Sequence, residues 1–149
     1  MGKLPVEDQL EIQDLYSRYN LLSDAADSAG YANCFTADGT MLSPEVGIEV
    51  RGHDALVAHK ERDKSNRAGR YRRHWNANLC LDLLDDGRVC GRCYLLAYNG
   101  IPKDLPTIAD CGVYEDILVK VDGAWKFESR CLSMDGSTWN QGKDAVCGA

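Results

Sequence analysis

The chain has 149 residues, with 17 Lys and Arg against 23 Asp and Glu, a net charge of −6 and a sequence pI of about 5.0. That is enough length for one domain with a sizeable core. The acidic balance argues against nucleic acid, which needs a basic stripe to neutralise phosphates, and against an anionic membrane surface.

At the N-terminus, Met1-Gly2-Lys3-Leu4-Pro5 lacks the apolar stretch of a signal peptide. Pro5 then precedes Glu7 and Asp8, acids suited to a first helical turn. Ile12, Leu15, Tyr16, Tyr19 and Leu22 recur at helical spacing. A short second helix is expected over 28–35, then a turn at Ala37-Asp38-Gly39 and two short strands at 40–42 and 47–50. Gly52-His53-Asp54 opens a third helix that runs into the charged stretch Lys60-Glu61-Arg62-Asp63-Lys64 and stops near Gly69. The period then changes to two. Strands are expected at 71–84 and 89–98, joined at Asp85-Asp86-Gly87, and at 107–121 and 125–134, joined at Asp122-Gly123. The tail from Asp135 is polar and Gly-rich and reads as irregular.

No run approaches the roughly 18 apolar residues of a spanning helix. Seven cysteines, an odd set without an export signal, read as reduced thiols of a cytoplasmic protein. Cys90-Gly91-Arg92-Cys93 matches C-x-x-C but sits mid-strand without a second ligand pair, which argues against zinc or redox chemistry. Helices followed by four long antiparallel strands describe one α+β domain over 1–149, with helices packed on a curved antiparallel sheet.

Two residues fifty positions apart carry the chemistry. Asp24 ends the first helix, and His74 lies in Arg72-Arg73-His74-Trp75-Asn76-Ala77-Asn78. An imidazole is largely a free base at neutral pH, and a carboxylate on its other nitrogen fixes the tautomer and stabilises the imidazolium. That pair can take a proton from carbon, and a leaving group on the next carbon then departs, with no cofactor or metal required. Strand alternation puts Arg72, His74, Asn76 and Asn78 on one face, Asp110, Gly112 and Tyr114 on another, and Arg130, Leu132 and Met134 on a third. A pocket carboxylate at Asp110, paired with Arg130, fits this pattern. The helical wheel is less favourable: Asp24 lies about 120° from Ile12 at ~100° per residue, off the apolar stripe. His53 and His59 read as surface residues of the charged third helix, and Trp75, Trp125 and Phe127 as core or subunit interface.

Ile12-Gln13-Asp14-Leu15-Tyr16-Ser17, Asp24, His74 with Asn78, Gly112-Val113-Tyr114 and Asp122-Gly123-Ala124-Trp125-Lys126-Phe127, in this order, resemble the SnoaL-like branch of the NTF2-like superfamily. The resemblance covers 6–134 and implies a cone-shaped fold with a deep pocket between sheet and helices. Within the branch the chain is most similar to scytalone dehydratase, bile-acid 7α-dehydratase and hexachlorocyclohexane dehydrochlorinase. The resemblance implies an Asp–His dyad on Asp24 and His74, with a pocket arginine at Arg130. Periodicity alone reads Tyr19 as core or catalyst. Its place five residues before Asp24 is similar to the steroid-type dehydratases, whereas the dehydrochlorinase has a lysine there.

The expectation is therefore a cofactor-free lyase eliminating water from a small hydrophobic cyclic substrate. His74 is the base, Asp24 orients it, and Tyr19 and Arg130 assist the leaving group. Asp110, Asn78, Tyr114 and Leu132 contact substrate. A homo-oligomer is implied as well, a trimer ahead of a dimer. An isomerase or polyketide-type cyclase using the same base, and a binding module without chemistry, are the alternatives.

Overall fold

The structure, a computed structural model, describes residues 2–138. Helix α1 (Val6–Asp24) starts behind Pro5 with Glu7 and Asp8 in its first turn. It buries Ile12, Leu15, Tyr16 and Tyr19, and also two polar groups, Asn20 and Ser23. Helix α2 (Ser28–Asn33) starts under Asp27, whose side chain accepts from the Gly30 N–H at 2.8 Å. It stops two residues short of the expected 35, because Phe35 opens strand β1 (Phe35–Ser43). The expected turn at Ala37-Asp38-Gly39 is instead an irregularity inside β1, where its pairing breaks between Phe35 and Thr40. Strand β2 (Ile48–Arg51) pairs back on β1, and α3 (His53–Asn66) follows.

Four long strands complete the sheet: β3 (Tyr71–Leu83), β4 (Val89–Gly100), β5 (Thr107–Val121) and β6 (Ala124–Ser137), in the order β2-β1-β6-β5-β4-β3. The sheet is mixed rather than wholly antiparallel, because β1 and β6 run parallel with Met41 beside Arg130. Helix α3 carries the chain to the far edge, the long strands fold back one after another, and β6 arrives beside β1 in the same direction. Residues 135–137, expected as irregular tail, belong to β6, where Ser137 pairs with Asp110. The rest of that expectation, from 139 on, lies outside the described residues.

The core lies between the helices and one sheet face. Tyr16, Tyr19, Tyr31, Phe35 and Phe127 meet there at ring-centroid distances of 5.1–5.9 Å, spacings favourable for offset and edge contacts. Trp125 and Phe127 are buried, but Trp75 is 62% exposed on the opposite sheet face. The alternation of β3 does not run unbroken. Asn78 has φ 59°, and the register with β4 shifts between Ala77 and Cys80. The extra residue reverses the phase of the strand. Upstream of it, Arg72, His74 and Asn76 are the more buried positions; downstream, Leu79, Leu81 and Leu83 are. Asn78 is exposed, so it does not share the inner face with His74. Among the described residues the six cysteines are free, and no helix is long and apolar enough to cross a membrane.

Candidate active site

The end of α1 lies against β3, and a ladder of polar contacts joins them. Asn20 Nδ2 donates to Asn76 Oδ1 at 2.8 Å, and Asn76 Nδ2 donates to the Tyr94 carbonyl at 3.1 Å. Further along the helix, Asp24 meets His74 at two points. The imidazole Nδ1 is 2.5 Å from Asp24 Oδ1, and the His74 backbone N–H donates to Oδ2 at 3.2 Å. Asp24 reaches the site despite its distance from Ile12 on the wheel because it lies one turn beyond Asn20, on the side of the helix that faces β3. The free carbonyls there are capped from just past the end of α3: Arg67 donates to the Asp24 carbonyl at 2.5 Å and the Ser23 carbonyl at 2.6 Å. The side chains of His74 and Asp24 are 10% and 8% exposed.

The second imidazole nitrogen faces Arg72, whose Nε donates to Nε2 at 3.3 Å. This network assigns the neutral tautomer with its proton on Nδ1 and its lone pair on Nε2. Burial lowers the His74 pKa below its ordinary value; the Asp24 hydrogen bond opposes this, and the Arg72 charge adds to it. The side chain is thus held as a free base at neutral pH. Arg72 is itself anchored by Asp110 at 2.5 Å and by Asn99 Oδ1 at 3.0 Å.

The pairing expected between Asp110 and Arg130 is not formed. Asp110 lies opposite Ser137 and binds Arg72, whereas Arg130 lies opposite Asp116 and makes a bidentate pair with it, both N–O distances 3.0 Å. Arg130 is fully buried, with its guanidinium carbon 3.8 Å from the Tyr114 ring centre and 4.3 Å from those of Tyr19 and Phe127. The Tyr16 hydroxyl completes the cluster, donating to Asp116 at 2.6 Å. Gly91 leaves room for it, since a Cβ there would sit 2.3 Å from that hydroxyl.

His74 lines a cavity of about 60 Å³ between the sheet and the helices. Of the residues expected in the pocket, Tyr19, Tyr114 and Leu132 line it. Arg130 does not, being enclosed behind the rings of Tyr19 and Tyr114; Asp110 lies behind Arg72; and Asn78 is turned away by the bulge. Among the lining residues not assigned to the pocket from the sequence pattern, four are basic or acidic: His59, Lys60, Asp63 and Arg72. Lys60 is buried, donating to Ser23 Oγ at 2.8 Å and Asp63 at 3.2 Å above the Tyr31 ring. Its i, i+3 spacing from Asp63 reads in sequence as a solvated ladder. His59, expected at the surface, is half-buried, and burial pushes its pKa down to about 4. His53 is exposed, as expected.

Arg72 also lines a neighbouring cleft of about 270 Å³. On the other side of the dyad, a groove of about 480 Å³ between α1 and β3 reaches both Asp24 and His74 and includes the exposed Leu21 and Trp75. Two larger surface grooves, of about 710 and 740 Å³, contain neither dyad residue.

The two depressed imidazoles predict an acid-sensitive fold. An unfolded histidine takes up its proton near pH 6.5. Folded His59 and His74 bind theirs only at lower pH. Below about pH 6.5 the unfolded state therefore binds more protons, so stability is complete above that pH and falls as the pH drops. For His59 the loss continues down to about pH 4. Thermal melts between those values should show a falling midpoint, and His59→Leu should flatten the profile; an unchanged profile in the variant would reject the assignment.

Helices laid on a curved mixed sheet, with a small cavity between them, define the NTF2-like, cystatin-like fold. An NTF2-like protein with a cystatin-like fold from Novosphingobium aromaticivorans shares it, with a TM-score of 0.76 at 20% identity over 89% of this chain and 86% of that one. The chain belongs to the SnoaL-like domain family, whose pattern matches residues 5–131. Members of that family include polyketide cyclases and dehydratases and are typically enzymes. ActVI-ORFA from Streptomyces coelicolor is 27% identical over 85% of this chain and 97% of its own, with a TM-score of 0.78. A scytalone-dehydratase-like protein, also from Novosphingobium aromaticivorans, is 26% identical over 88% and 86%, with a TM-score of 0.75. No curated protein matches the chain.

Proposed function

We propose that this chain is a cofactor-free lyase that eliminates water from a small, largely apolar cyclic substrate. The observation that carries the reading is the 2.5 Å contact between Asp24 and Nδ1 of His74, which leaves Nε2 as the basic nitrogen, contacted only by the long 3.3 Å donation from Arg72 that a substrate displaces. His74 Nε2 takes a proton from the carbon beside a carbonyl. The C–H electron pair becomes the new C=C bond, and the hydroxyl on the adjacent carbon leaves as water after gaining a proton. Asp24 stabilises the imidazolium in the meantime.

Tyr19 lines the same cavity and stays a neutral phenol, because burial pushes its pKa well up, so it serves as a hydrogen-bond donor to the departing oxygen rather than as the acid that gives up its proton. Lys60, at the same cavity, adds positive charge where negative charge develops. Arg130 acts behind the rings, holding Tyr19 and Tyr114 in place rather than touching substrate. A pair within hydrogen-bond reach also weighs against a binding module without chemistry. The base does not dictate the fate of the carbanion, so isomerisation or cyclisation is the second reading, favoured by the cyclases of the family. The reading includes a homo-oligomer, a trimer ahead of a dimer.

The test is mass spectrometry of a library of cyclic alcohols, ketones and halides incubated with wild type and His74→Ala. Loss of water in the wild type alone is the expected result. A product of unchanged mass would assign the dyad to isomerisation or cyclisation. Equal turnover by His74→Ala would remove the dyad from the chemistry.

A further inference from the structure

The cleft beyond Arg72 is lined by charges of mainly one sign. Arg67, Arg70 and Arg72 meet there against the single carboxylate of Asp63. That carboxylate is already engaged by Arg67 at 2.7 Å and by Lys60 at 3.2 Å. Asp110, which anchors Arg72, also accepts from the Ser137 hydroxyl at 2.6 Å. Two carboxylates, Asp63 and Asp110, thus stand against Lys60, Arg67, Arg70 and Arg72, which leaves a local excess of positive charge. Arg70 makes no ion pair among the described residues, and Arg67 Nε is buried with no hydrogen-bond partner. Asn66 and Asn99 add amides to the same wall. A concentration of guanidinium groups in a chain of net charge −6 is a local field of opposite sign to the whole, which draws anions to one place.

Arg72 joins this cleft to the dyad, because it lines the cleft and the inner cavity alike. Its Nε contact with His74, at 3.3 Å, is longer than a strong hydrogen bond and is readily exchanged. The inner cavity of about 60 Å³ has room for only a few waters, so a cyclic ligand on His74 extends beyond it. We propose that the cleft is a subsite for the carboxylate of an acidic ligand, held by Arg70 and Arg72 with Arg67 beside them. Carboxylate binding takes Arg72 from His74 Nε2 and so uncovers the lone pair of the base. The inference rests on the proposed function only in treating that ligand as the substrate: an apolar ring at the dyad, with an acid group at the arginines.

The test is calorimetric titration of the full chain with 1-naphthoate and with 1-naphthamide, its neutral analogue, on wild type and on Arg70→Glu. Arg70 is exposed, so the variant should keep the fold, which a thermal melt checks. Wild type should bind the carboxylate about tenfold or more tightly than the amide, with an affinity that falls as salt rises. Arg70→Glu should abolish that preference and leave the amide unchanged, and Arg70→Gln should lose part of it. Equal affinity of wild type for both probes, a naphthoate Kd above about 1 mM, or an Arg70→Glu titration identical to wild type would each overturn the proposal. Neither probe is turned over, so a failed elimination screen leaves this result standing. Loss of the anion preference likewise leaves the role of the dyad untouched.

Discussion

Converting Asp24 to asparagine lowers turnover by an expected factor of about 10²–10⁴ on whichever substrate the mass screen identifies. Asparagine keeps the shape of the side chain and loses its charge. The amide can turn its NH₂ towards Nδ1, which moves the imidazole proton to Nε2 and removes the lone pair that receives the substrate proton. Even without that flip, the imidazolium formed in the reaction loses the carboxylate 2.5 Å away. A purely structural role would show mainly as a lower melting temperature. The distinguishing readout is the pH profile of kcat/KM. Asp24 raises the His74 pKa against the lowering by burial and Arg72, so any residual activity should have its acid limb at lower pH than wild type. Wild-type kcat with an unshifted profile would exclude Asp24 from the mechanism.

The second large effect is on stability. Asp116→Ala removes the partner of Arg130, and both groups are fully buried. The variant strands a guanidinium among aromatic rings, with one nitrogen, Nη1, already lacking a hydrogen-bond partner in the wild type. It also removes the acceptor of the Tyr16 hydroxyl. Breaking a buried pair from one side typically costs about 3–5 kcal/mol, while replacing both partners by apolar groups is often close to neutral. Urea titration should show a loss of that order for Asp116→Ala. Asp116→Leu combined with Arg130→Met should recover most of it. If the single variant loses under about 1 kcal/mol, the pair is no more than a surface-type bridge.

The sequence pattern reveals the elements better than their arrangement. Period-two runs broken by Asp-Gly turns disclose the four long strands, because each buries one face. The direction in which β6 meets β1 is not legible, since side-chain alternation is the same for parallel and antiparallel neighbours. The bulge at Asn78 is equally hidden, although asparagine is among the residues that tolerate its positive φ. His74 is legible as a candidate base from its neighbours, whereas Asp24 is legible only through resemblance, as its wheel position points away from the core. Lys60 and His59 escape notice for a physical reason. A charged run on a helix reads as solvated unless its partners are known, and Ser23 and Tyr31 come from other helices. Arg130 shows the converse. Alternation correctly turns its face inward, but only the cross-strand register shows that Asp116 takes it into the core.

The parallel seam between β1 and β6 bears on how the chain is made. Met41 waits for Arg130, about 90 positions later, and the rings of Tyr19 and Phe35 wait for Phe127. On a translating ribosome the helices and the β1–β2 hairpin emerge first, and part of their apolar side stays uncovered until the last strand is synthesised. Such non-local closure is slow and leaves nascent chains prone to clumping. Recovery of folded material from an overexpressing cell should therefore depend on growth temperature and on chaperone supply more than the modest size of the protein suggests.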